Sequence, residues 1–123
     1  MGGGMKYTLQ LSITRPPLSL NVPMNHYAKA RIVRELKDEA HTRCLALKIP
    51  KGCKQATYTL TYHPSDLRSR DTDNPTPTLK ALIDGATRYG VTADDSSEYV
   101  TSSCVIGKVR KPSEVTLTIE VVQ

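Results

Sequence analysis

Ala56-Thr57-Tyr58-Thr59-Leu60-Thr61-Tyr62 and, after a polar stretch, Pro77-Thr78-Leu79-Lys80-Ala81-Leu82-Ile83-Asp84-Gly85-Ala86 decide the fold class between them. In the first run Tyr58, Leu60 and Tyr62 alternate with Thr57, Thr59 and Thr61, the period of a half-buried strand over residues 56–62. In the second, Leu79, Leu82, Ile83 and Ala86 fall on one face of a short helix, with Lys80, Asp84 and Thr87 opposite. A residue before proline avoids the α region, and proline suits a first helical turn. Thr76 is therefore expected as N-cap, Pro77 as the first helical residue, and Gly90 as the stop.

Working outward, residues 6–13 alternate with Tyr7, Leu9, Leu11 and Ile13 on one side, predicting a strand that Arg15, Pro16 and Pro17 end. Asn25 is an expected N-cap. Beyond it Val33, Leu36, Ala40, Cys44 and Leu47 form an apolar stripe, predicting a long helix that ends near Leu47. The opposite face carries Lys29, Arg31, Arg34, Lys37 and Arg43. Arg34 with Asp38 and Glu39 with Arg43 are spaced for pairing, while Lys29 and Arg31 at the start are without such partners. Two more strands are predicted over 99–106 and 114–122, joined by the basic Gly107-Lys108-Val109-Arg110-Lys111-Pro112 turn. The expectation is an α+β fold in the order β-α-β-α-β-β: a mixed sheet covered by helices, parallel across its helical crossovers and closed by an antiparallel hairpin. Residues 1–5 read as a leader, and 6–123 as one domain.

Composition narrows the function. With 38% hydrophobic residues, six Tyr and neither Phe nor Trp in 123 residues, the core must be aliphatic and thin, which makes oligomerisation a source of further burial. No apolar run suits a membrane span or a secretion signal, so no membrane partner and a cytoplasmic location are expected. Three scattered cysteines fit reduced thiols better than a disulfide framework. The net charge is +5, yet residues 66–98 hold seven of the twelve acids against four Lys/Arg. Carboxylates gathered inside a basic chain ask for a cation between them and a polyanion, which suits metal-dependent phosphodiester chemistry.

The carboxylates have a pattern. Asp71-Thr72-Asp73-Asn74 precedes the short helix, Lys80 and Asp84 lie one turn apart on it, and Asp94-Asp95 follows Gly90. Asp71 and Asp73, two apart, can point to one side of an extended segment. If the later loop returns there, Asp94 or Asp95 supplies a third oxygen to a hard cation such as Mg²⁺. Each piece alone is also compatible with an ordinary Asx turn.

The run Arg70-Asp71-Thr72-Asp73-Asn74, Lys80-x-x-x-Asp84 and Gly90-Val91-x-x-Asp94-Asp95 resembles the signature of the RusA family of Holliday junction resolvases, bacterial and largely of phage origin. Pro16-Pro17 and Asn25 look like that family's N-terminal region, and Pro75-Thr76-Pro77 lengthens the step from Asp73 to Lys80 relative to it. The resemblance implies a homodimeric Mg²⁺-dependent endonuclease, with Mn²⁺ as a substitute, that resolves four-way DNA junctions by paired nicks in recombination and repair. It makes the host bacterium's cytoplasm the location of a phage-encoded copy. It implies Asp71, Asp73 and Asp95 as catalytic metal ligands with Asp94 adjacent, Lys80 at the scissile phosphate, and Asp84 and Asn74 in support. Lys29, Arg31, Arg68, Arg70, Lys108, Arg110 and Lys111 are the cations expected on DNA.

A non-catalytic basic module binding branched DNA is the alternative, in which the acidic loop serves folding or partner contact. A glycosyltransferase use of Asp-x-Asp is excluded by length. His41, Cys44 and Cys53 lack a tight zinc motif. His63 is a possible general base that reads more simply as a loop histidine, and Tyr27, Tyr62, Tyr89 and Tyr99 as packing residues more than base platforms.

Overall fold

The computed structural model describes residues 4–20, 22–70, 72 and 74–123. Its elements are β1 (Met5–Gln10), α1 (His26–Leu47), β2 (Gln55–His63), α2 (Thr76–Tyr89), β3 (Val100–Ile106) and β4 (Glu114–Val122). They form a small α+β unit with one mixed four-stranded sheet and two helices. Met5, assigned to the leader by sequence, is already strand, because its backbone pairs with Val121. No helix of the described residues is long and apolar enough to cross a membrane.

The sheet order is β1-β4-β2-β3, which corrects the expected closing hairpin. β3 pairs in parallel with β2, as the α2 crossover requires, but β4 lies antiparallel between β1 and β2. Two physical reasons account for this. The connection folds over the end of β2: Gly107 N–H donates to Tyr62 O at 2.8 Å and Arg110 N–H to Pro64 O at 2.9 Å, delivering the chain to the far side, where Glu114 faces His63. The strands also differ in what they can bury. Val115, Leu117, Ile119 and Val121 are all fully buried in β4, whereas Thr101-Ser102-Ser103 leaves β3 polar on both faces and suited to an edge.

Both helices cover one face of the sheet, over Leu9, Ala56, Tyr58, Leu60 and the four β4 residues. The other face is an open array of hydroxyls, in which Thr8, Thr118, Thr59 and Ser103 align across all four strands. Asn25 caps α1 as expected, accepting from Tyr27 N–H at 2.8 Å and Ala28 N–H at 3.3 Å. Leu36, Ala40 and Cys44 are buried, but Leu47 is exposed: Lys48 turns left-handed (φ 55°), and Ile49 enters the core instead. β1 stops at Gln10 rather than residue 13, because Ser12 gives its N–H and hydroxyl to Glu39 of α1 at 2.7 and 2.8 Å.

α2 begins one residue earlier than expected. The Pro75 carbonyl accepts from Thr78 and Leu79 N–H, so Pro75 holds the cap position and Thr76 is already helical. Pro77 stays in the first turn, where no donor is missed. Buried Thr78 then clamps the Pro-rich loop, accepting from Leu18 N–H at 3.0 Å and donating to Leu18 O at 2.8 Å. At Gly85 the helices touch: a Cβ there would run into the Lys37 carbonyl and lie 2.8 Å from the Lys37 Cα. That contact fixes what faces Asp84.

Candidate active site

Lys80 and Asp84 project from the same stripe of α2, one turn apart. Gly90, at φ 113°, ends the helix and turns the chain into the 91–99 loop. The loop is anchored at its root, with Val91 and Thr92 buried and Gly90 and Val91 carbonyls accepting from Gly52 and Cys53 N–H at 2.8 Å. It is tightened at its tip, where the Asp94 carboxylate accepts from Ser96 N–H at 2.8 Å and the Thr92 hydroxyl donates to Asp94 O at 2.7 Å. Tyr99 and Val100 N–H then return to Ser96 O. The consequence is that Asp95 is carried back onto α2.

There a cleft of about 320 Å³ opens between α2 and edge strand β3, lined by Lys80, Asp95, Thr76, Ser97 and Ser102 over Leu79, Ile83 and Val100. The Asp84 carboxyl has that of Asp95 as its neighbour. Its pKa is raised above the ordinary 3.8, first by burial and then by the Asp95 carboxyl, against the pull of Lys37 and Lys80. Two neighbouring carboxyls thus lie within the field of two ammonium groups, those of Lys37 and Lys80. A cation beside two such carboxyls would lower the repulsion that now favours a proton on Asp84, although the two alone are fewer than the three ligands of a complete metal group.

The structure thus brings together Lys80, Asp84 and Asp95. Asp71 and Asp73 lie outside the described residues. Asp94, expected beside the metal, is exposed and spends its carboxylate on the turn, where hydrogen bonds from the Ser96 backbone and hydroxyl hold its pKa below the ordinary value. Asn74 lines a neighbouring cavity of about 210 Å³ with Arg15, Tyr62 and Arg70, and its carbonyl accepts from Leu20 N–H.

The cations expected on DNA divide. Arg70 is latched by Asp66 at 2.9 Å, donates to the carbonyls of Asp66 and Arg68, and lies over the Tyr62 ring. Arg68 reaches the same carboxylate at 3.3 Å. Hydrogen bonds from the Arg68 backbone and from both guanidinium groups hold Asp66 down at about 2. Arg110 pairs with Glu114 at 3.0 Å, while Lys108 and Lys111 are exposed. Arg31 lies 3.8 Å from Glu35, which corrects its expected lack of a partner. The expected Arg34–Asp38 pair is replaced by an Asp38–Arg88 bridge between the helices at 2.8 Å, and Glu39–Arg43 forms at 2.8 Å as expected.

Lys37 is the site residue that sequence reasoning missed. It sits on the charged face of α1, and only the glycine at position 85, a residue that often marks close approach inside a helix, hinted that this face meets α2. The discarded zinc set is core and packing: burial pushes the Cys44 thiol up to about 12 and raises Cys53, and His41 meets the Tyr89 ring edge-on. Among the described residues no group of three His, Cys, Asp or Glu could hold a metal. His63 bonds Lys108 O at 2.8 Å and braces the turn. No protein-family model and no curated protein matches this chain.

Proposed function

We propose that the protein is a Mg²⁺-dependent, structure-selective endonuclease that resolves four-way DNA junctions by paired nicks, acting as a homodimer in the bacterial cytoplasm. The observation that carries this reading is the meeting of Lys80 and Asp95 in one cleft, with the Asp84 carboxyl beside that of Asp95. These are three positions of the signature that resembles the RusA resolvases, drawn together from two separate segments.

Asp95, with Asp71 and Asp73 from the loop that enters α2, would hold the metal. Asp84, beside Asp95, would support it. When bound, Mg²⁺ supplies a water acidic enough to attack a phosphate and offsets charge on the phosphate oxygens. Lys80, exposed at the cleft, neutralises the developing charge on the scissile phosphate, and the narrow cleft orients it along α2. A junction presents two symmetric cutting points, so a C2 pair of chains with one carboxylate cluster each is the simplest match.

The test is a labelled synthetic four-way junction incubated with and without Mg²⁺ beside linear duplex. Paired, metal-dependent nicks confined to the junction are expected. Binding with no cleavage under any divalent metal would leave the non-catalytic module as the function. Light scattering at working concentration should return twice the chain mass, and a fully active monomer would remove the dimer.

A further inference from the structure

Between α1 and the C-terminal end of α2 runs a groove of about 510 Å³ lined by His26, Lys29, Arg34, Lys37 and Arg88, with Val33 at its floor and no carboxylate in its lining. The α1 residues come from one face, since positions 26, 29, 33 and 37 follow three- and four-residue steps. Lys29 to Lys37 spans roughly 12 Å along the helix axis, comparable to three or four base steps of a DNA strand.

The cations of this face are not used up in pairs along the helix. Here the available partner is drawn away: Asp38, one turn from Arg34, bonds Arg88 across the helices instead. Among the described residues no carboxylate lies within ion-pair distance of Lys29 or Arg34. The groove and the cleft are separate cavities that share one helix. Lys80, Asp84 and Arg88 fall four apart on a single stripe of α2, so the stripe runs from the cleft at Lys80 to the groove at Arg88. Lys37, whose backbone lies against Gly85, lines the groove, and its charge acts on the Asp84 carboxyl.

We infer that this groove is the track for the phosphate backbone of the strand that is cut, with Lys29 and Arg34 holding phosphates and Lys37 the last cation before the carboxylates. The inference rests on the reading of the substrate as DNA, and adds a path distinct from Arg31 and the turn at Lys108 to Lys111. Lys37 has a second task there: it sits where the strand's negative charge would otherwise meet that of Asp84 and Asp95.

The experiment measures affinity for a fluorescent four-way junction in EDTA across a salt series, using the full chain and the double variant Lys29→Gln, Arg34→Gln. Each lost phosphate contact lowers the slope of log affinity against log salt by about 0.9, so the pair should lower it by about 2, with affinity down on the order of tenfold at low salt. Lys29→Arg with Arg34→Lys should keep the wild-type slope. Lys6→Gln with Lys54→Gln, the same charge change on exposed residues outside the groove, should keep it too. A folded groove variant with the wild-type slope, or an equal loss in the Lys6/Lys54 variant, would overturn the track. Nicking in Mg²⁺ is read separately. A protein that nicks junctions regardless of the groove variant removes the groove and keeps the nuclease, whereas one that binds through the groove and never nicks does the reverse.

Discussion

Glu39 on α1 and Asp84 on α2 are both half-buried helix carboxylates, and the protein treats them in opposite ways. Burial alone would push the Glu39 carboxyl up, but hydrogen bonds from Arg43 and from the Ser12 backbone and hydroxyl outweigh it and hold the group below its ordinary value. Burial raises Asp84, and its neighbour Asp95 adds to the shift instead of opposing it. One carboxylate is saturated with donors and fastens the β1 loop to α1. The other lies beside a second acid, Asp95, which itself lines the cleft. A site with an unmet electrostatic need is where an external cation and an anionic substrate gain most, and that contrast separates the cleft from the many charges that only hold the surface together.

The sharpest way to break the contrast is Asp95→Asn. It keeps the side-chain shape while removing the charge, so junction cleavage should fall by orders of magnitude, on the order of 10²-fold or more, with binding retained in EDTA. Asp73→Asn should behave in the same way. Folded variants that cut at the wild-type rate would remove these aspartates from the chemistry, and joint loss of binding and cutting would make the loop structural.

Gly85→Ala attacks the scaffold that gives Asp84 its surroundings. The new methyl meets the Lys37 backbone, which cannot swing aside, so the helices must separate and stability should drop by about 2–3 kcal/mol in denaturant unfolding. An unchanged midpoint would mean that the α1–α2 crossing is not close.

Glu39→Gln should cost about 1–2 kcal/mol, because charge-assisted hydrogen bonds to Ser12 and Arg43 are lost, while Mg²⁺-dependent cleavage stays at the wild-type rate. The pH dependence has a definite sign. The folded Glu39 pKa lies below the ordinary 4.5, so its contribution is complete above that value and is lost as pH falls through the lowered folded value. Melting curves of wild type and Glu39→Gln should therefore converge in acid; a gap that persists at the lowest pH would mean the hydrogen bonds do not need the charge.

Asp84→Asn should do the opposite at neutral pH in EDTA, raising stability slightly, by less than about 1 kcal/mol after solvent screening. Its cleavage rate should fall less than that of Asp95→Asn, because Asp84 acts through Asp95. A clear loss of stability would show that Asp84 is held as favourably as Glu39.

Much of this was legible along the chain. Asn25 caps α1 because its side chain reaches the amides two and three residues on, and Gly90 ends α2 because that turn needs a positive φ: both are local requirements written in one residue. The strands were legible by period, whereas the spacings left Asp94 and Asp95 equivalent, and only the fold of the 91–99 loop puts Asp95 into the cleft beside Lys80. The boundaries of β1 and α2 slipped because Ser12 and Pro75 bond to residues that periodicity does not see.

The sequence by itself determined which residues seek the interior and which segments can be helix or strand, since those depend on side chains within a few positions of one another. Tertiary structure alone decided that β4 inserts between β1 and β2, that Asp38 abandons Arg34 for Arg88, and that Lys37 lies against Gly85. Each of these is a choice among partners equally available by local chemistry. The choice is made by which arrangement buries the fully apolar face of β4 and lets two helices meet at a residue without a side chain.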